Sequence, residues 1–228
     1  MSDHKPRQLL RDLRRSTSGV AMLEFALSLP LLLTAGLWGT ETANLAVTQM
    51  QVNQLANQVA DNASRIGDTS QLQNRKIYES DVNDLLYGAD VQGGTRMGIF
   101  QHGRVIISSL EVNAGGKQYI HWQRCKGTKV HNSSYGAEGA GASGAAITGM
   151  GPTGEEVSAP VGGAVIFVEI AYDYQPLIGL TFAQNHKITS IASFMVRDSR
   201  DLSQIYQRDP LKPSTIAKCN VYDATPLV

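Results

Sequence analysis

The chain has 228 residues, with 20 Lys and Arg balanced by 20 Asp and Glu, and 42% of its residues are hydrophobic. That length accommodates an apolar anchor plus one domain of about 150 residues. Zero net charge, with no basic stretch outside the N-terminus, gives no electrostatic basis for binding nucleic acid.

The charge is unevenly placed. Residues 1–19 hold Lys5, Arg7, Arg11, Arg14 and Arg15 against Asp3 and Asp12, and an apolar run follows at once. A basic leader before an apolar span places the leader in the cytoplasm and the rest of the chain on the far side. The span is expected over residues 20–42. Its most apolar part, 20–39, is interrupted by polar side chains only at Glu24, Ser28 and Thr34. Twenty helical residues cover about 30 Å, the hydrocarbon thickness of a bilayer. A cleaved secretory signal is the competing reading, but it would have a shorter apolar region and end in a small-x-small site, which residues 43–46 match poorly.

Glu24 stands out within the span. A carboxylate there costs about 2.5–3.5 kcal/mol on insertion scales, so it marks a function and a partner, with a charge near the end of an ordinary anchor that snorkels to the interface as the other reading.

Beyond the span the helical pattern continues. Leu45, Val52, Val59 and Ile66 recur every seven residues, with Leu55, Ala56, Ala60 and Ala63 beside them and Gln, Asn and Asp on the other faces. This predicts one helix over 20–65, about 70 Å long. Its apolar stripe is expected to cover the sheet of the same chain rather than to form a dimeric coiled coil. Pro30 removes one backbone hydrogen bond and is a potential kink.

Gly67 is expected to end this helix. A shorter helix follows, capped by Ser80 and stopped by Gly88. Strands are expected at 104–112 and 117–124, joined by a turn at Asn113-Ala114-Gly115-Gly116, with Tyr119 and His121 on one face and Ile120 and Trp122 on the other. Residues 127–163, rich in Gly, Ala and Ser, read as a surface loop. Two more strands are expected at 164–174 and 187–196, then a tail over 199–228 that starts with a helical turn near 202–206. The fold class is therefore α+β, a long N-terminal helix packed on a four-stranded antiparallel sheet. The divisions are a leader 1–19, a helix 20–66, a head 67–198 and the tail. Cys125 and Cys219 both fall in the exported part, where an even pair reads as a disulfide, with two unpaired small core residues as the other reading.

The parts of an enzyme do not assemble. His102, His121, His131 and His186 lack metal-ligand spacing, and on a regular strand His121 and Cys125 lie on one face roughly 13 Å apart. No nucleophile elbow, zinc-binding His-Glu-x-x-His or P-loop is present, and the glycines around Ser143 lack a following basic residue and helix. Asp81, Asp84 and Asp90 read as a solvated helix face, so neither a metal nor a cofactor is expected.

Ser18-Gly19-Val20-Ala21-Met22-Leu23-Glu24-Phe25-Ala26-Leu27-Ser28-Leu29-Pro30 resembles the N-terminus of TadE-like minor pilins of the tight-adherence (Tad) pilus. The segments Val168-Glu169-Ile170-Ala171-Tyr172-Asp173-Tyr174-Gln175-Pro176-Leu177 and Ile191-Ala192-Ser193-Phe194-Met195-Val196-Arg197 resemble later strands of the same proteins. The resemblance implies a pilin-like fold and cleavage by a prepilin peptidase between Gly19 and Val20. It also implies an assembly role for Glu24, Phe25 and Pro30 among the helices of the major pilin and other minor pilins on an inner-membrane assembly platform. The precursor would cross the bacterial inner membrane once, in contact with lipid, with its head in the periplasm, before moving to the pilus or cell surface. An uncleaved, membrane-anchored periplasmic binding protein is the alternative.

Overall fold

The computed structural model describes residues 11, 18–68, 74–145, 147–178, 186–197 and 199–227. The order of elements is α1 (Ser18–Ala63), α2 (Glu79–Met97), α3 (Ile99–His102), β1 (Gly103–Val112), β2 (Gln118–Lys126), β3 (Ala164–Asp173) and β4 (Lys187–Met195). This is the α+β layout expected from the sequence. The chain divides into two compact units, residues 1–45 and 46–228.

In the first unit α1 passes through Pro30 without interruption. The hydroxyls of the apolar stretch are spent on its own backbone: Ser28 donates to the Phe25 carbonyl at 3.2 Å and Thr34 to the Pro30 carbonyl at 2.7 Å. Thr40 and Thr42 do the same one turn back, at 2.9 Å each. Self-satisfied hydroxyls remove most of the cost of placing Ser and Thr in hydrocarbon. Among the described residues α1 is the one helix long and apolar enough to cross a membrane.

In the second unit the remainder of α1 buries Val52, Leu55, Ala56, Val59, Ala60 and Ala63. These stripe residues are thus buried within this chain itself. The helix ends at Ala63, two residues before the expected end, and Arg200 explains the stop. Its guanidinium donates to the carbonyls of Ser64 at 3.1 Å and Ile66 at 2.7 Å, a basic cap on carbonyls that the helix leaves unpaired.

The second helix differs from expectation at both ends. It starts at Glu79, where the Asp81 carboxylate accepts the Tyr78 N–H at 3.1 Å, so Asp81 performs the capping assigned to Ser80. It runs through Gly88 because Val82, Leu85, Leu86 and Ala89 keep a buried helical stripe across it. The helix breaks at Gly94, where φ is 68° and ψ 169°, and its last turn stops at Gly98, whose φ of 54° favours glycine.

The four strands form one antiparallel sheet in the order β2-β1-β3-β4. The β1–β2 turn matches the sequence reading: the Asn113 side-chain oxygen accepts the N–H groups of Gly115 and Lys117 at 2.9 and 3.0 Å. The side-chain alternation of β2 does not match. Ser109 pairs with Trp122 and Leu110 with Ile120, so a bulge at His121 places Ile120 and Trp122 on opposite faces. The same bulge sets His121 and Cys125 on opposite faces of the sheet, because Cys125 pairs with Ile106.

Strands β1 and β3 are buried on both faces. On one face the Tyr172 hydroxyl donates to the Met97 carbonyl at the end of α2. On the other, Leu110, Ile120, Val165 and Phe167 pack with Met150 and Ala159 of residues 127–163, supported by Tyr135, Ala140 and Ile147. The Gly-rich stretch is a largely exposed loop, as its composition predicts, but its inner side also covers the sheet. Glycine serves close approach there: a Cβ on Gly141 would lie 2.4 Å from the Gln118 carbonyl oxygen and one on Gly127 2.2 Å from that of Gly103.

The expected helical turn near 202–206 is absent; this part of the tail is extended, with bridges from Arg200 to Arg75 and Tyr206 to Tyr78. Farther on, the tail lines the outer edge of β2, where Cys125 N–H donates to Ala217 and Gly127 N–H to Asp223.

Candidate functional site

Gly19, Val20, Glu24, Phe25 and Pro30 all lie near the N-terminal end of α1. Gly19 is already in the first helical turn, with nothing within 4 Å of the position a Cβ would take. The first N–H groups of a helix have no partners inside it, so opening this turn to present an extended Gly19-Val20 bond costs little. Val20 is 55% exposed and Phe25 62%, and every described side chain from Gly19 to Thr40 is exposed except half-buried Leu29. Such a surface is suited to lipid or to other apolar helices, not to water.

Glu24 lies within this surface. Ser28 and Thr34 satisfy themselves, but among the described residues the Glu24 carboxylate has neither a hydrogen bond nor an ion pair. The arrangement leaves one acidic group on an apolar helix face without a partner among the described residues.

Cys125 and Cys219 are joined by a disulfide, with Cα atoms 4.7 Å apart. Around it lie groups the sequence reading missed. Arg104 is fully buried and donates to the carbonyls of Gly127 at 2.8 Å, Val221 at 2.9 Å and Cys219 at 2.6 Å. Its guanidinium also stacks 4.0 Å from the Tyr222 ring centroid, and Lys126 pairs with Asp223. On the same face Glu169 accepts from the Ser133 hydroxyl and from Ser134 N–H. Arg104 opening β1 and Glu169 inside the apolar run of β3 were signals that such contacts exist, though not of their partners.

On the opposite face buried Glu79 receives Arg124 at 2.5 and 3.0 Å, and Arg124 also reaches Glu138 at 2.9 Å. The His121 Nδ1 lies 2.8 Å from Glu111, whose other oxygen accepts from Ser109. The hydrogen bond to Glu111 raises the His121 pKa above its ordinary value against the opposing effect of burial. Burial and nearby Lys187 lower that of His131. Among the described residues no three His, Cys, Asp or Glu side chains are placed to share a metal ion.

The model of one protein family, described as TadE-like protein, matches residues 19–61. That segment spans the Gly19-Val20 bond, Glu24, Phe25, Pro30 and nearly all of α1. No curated protein and no solved structure matches the chain.

Proposed function

From the premise that residues 19–61 are a TadE-like segment, we propose that the protein is a non-enzymatic minor pilin of a Tad pilus, processed between Gly19 and Val20 by a prepilin peptidase. The observation that carries this reading is the Glu24 carboxylate, without a partner among the described residues, on an exposed apolar helix five residues after Gly19.

Cleavage creates an α-amino group on Val20, positively charged at neutral pH. When the helix leaves lipid for a bundle of pilin helices, that amine on a neighbouring subunit supplies the countercharge for Glu24. The pair then fixes axial stagger. A register that strands the carboxylate costs about 3–5 kcal/mol, the penalty for breaking a buried ion pair. Phe25 and the Pro30 region contribute apolar packing around it. The partners are the major pilin, other minor pilins and the inner-membrane assembly platform, with lipid as the environment before assembly and the periplasm as the compartment of residues 67–228.

The disulfide supports an oxidising compartment for the head. A permanently anchored periplasmic accessory protein is the second reading; it shares the exposed apolar helix but gives Glu24 no role. Expression with and without an active prepilin peptidase, followed by N-terminal sequencing, separates the two. A start at Val20 only when the peptidase is active supports the pilin reading, and a chain that keeps its leader beside active peptidase contradicts it.

A further inference from the structure

Beside the disulfide, residues 131–137 and the tail around 219–222 enclose a cleft of about 430 Å³ over the sheet. This is within the size range of small-molecule sites. Its apolar lining comes from Ile106, Ala137 and the Cys125–Cys219 bridge, and its polar lining from Gln123, His131, Asn132, Ser133, Asn220 and Tyr222.

None of these polar groups carries a permanent charge. Burial and nearby Lys187, whose Nζ approaches the His131 Nδ1 at 3.4 Å, lower the His131 pKa and so favour its neutral form. Apart from exposed Lys187, which approaches His131, the nearby ionic groups are committed. Arg104 is spent on three carbonyls, Glu169 on Ser133 and Ser134, and Lys126 and Lys129 on Asp223 and Asp173. The neutral groups are not used up. Asn132 accepts from the Tyr222 hydroxyl at 3.1 Å through its side-chain oxygen, which leaves its amide nitrogen without a partner among the described residues. The Asn220 side chain and His131 Nε2 are likewise uncommitted there. Converging amide donors and acceptors above an apolar floor match alternating hydroxyl and C–H surfaces, and offer a charged ligand little compensation for its lost hydration.

We propose that this cleft binds a neutral, hydroxyl-rich ligand of monosaccharide size. Binding there is independent of the processing of the N-terminus and of the pilus reading.

The test uses the full oxidised chain in phosphatidylcholine nanodiscs and ligand-observed saturation-transfer NMR. The probes are methyl glycosides of glucose, galactose, mannose and N-acetylglucosamine, with inorganic phosphate as a charged competitor. At least one glycoside should give a signal that empty nanodiscs lack and that phosphate does not displace. Asn220→Ala, which removes a side chain with no protein partner and therefore leaves folding intact, should weaken it about tenfold, the equivalent of one lost hydrogen bond of about 1.4 kcal/mol. Ala137→Trp, which fills the cleft from an exposed position, should abolish it. No signal from any of the four glycosides, a signal unchanged in both variants, or displacement by phosphate would overturn the proposal.

Discussion

Arg104 donates to the Cys219 carbonyl at 2.6 Å, so a buried guanidinium and a disulfide hold the same turn of the C-terminal tail. The two act differently. The disulfide restricts the unfolded chain, whereas Arg104 supplies donors to three carbonyls that would otherwise lack them in the folded one.

Cys125 and Cys219 are 94 residues apart, a loop whose closure is worth about 4–5 kcal/mol in the chain-entropy account. Cys125→Ser with Cys219→Ser should lower the melting temperature of the head substantially while leaving its circular-dichroism spectrum native at low temperature, because Arg104 and the Lys126–Asp223 pair still fix the tail. Melting with and without reductant checks this: the reductant should destabilise the native protein and leave the double variant unchanged.

Arg104→Met keeps much of the side-chain volume and removes every donor. With one buried and two part-buried carbonyls losing this donor, at about 1–3 kcal/mol for a buried one and less for the others, this substitution should destabilise the head even with the disulfide intact. Denaturant unfolding under oxidising conditions measures it.

The Glu79–Arg124 pair predicts an asymmetric double-mutant cycle. Arg124→Met leaves the Glu79 carboxylate buried without its cation and should cost about 3–5 kcal/mol, whereas Arg124→Met combined with Glu79→Leu should recover much of that loss. Additive losses in the cycle would show that the two side chains do not interact.

His121 gives a pH dependence with a defined sign. Its folded pKa is raised by Glu111, so its contribution to stability is fully present below the unfolded pKa of about 6.5 and is lost as pH rises through the folded value. The stability difference between the native protein and His121→Gln should therefore shrink from mildly acidic to alkaline pH. Unfolding both proteins across that range tests it, and a difference that grows with pH contradicts the assignment.

Local signals carried the sequence reading where they were sufficient. The apolar run and heptad of α1 and the Asn113 turn are set by residues close in sequence, and their boundaries fell within a few residues of the structure. The reading failed where distant residues decide. Gly88 stops nothing because the buried stripe of α2 continues past it, and the Ile120–Trp122 alternation fails because a bulge at His121 reverses the faces. Composition hid the role of 127–163, since Met150 and Ala159 turn a Gly-rich stretch into a sheet cover. At the N-terminal site Glu24 was legible because one charge in an apolar run needs no tertiary information to stand out. Arg104 and the cleft beside it depend on contacts between distant residues, such as 115 apart for Arg104 and Cys219 and 90 apart for Asn132 and Tyr222.

Whether the carboxylate near the start of α1 sets the register of an assembled fibre is decided most directly by Glu24→Ala. In cells with the rest of the pilus machinery intact, the variant should insert in the inner membrane and lose its leader as the native protein does, yet fail to support assembly. Pili produced at native levels by cells whose only copy carries this substitution would contradict the account.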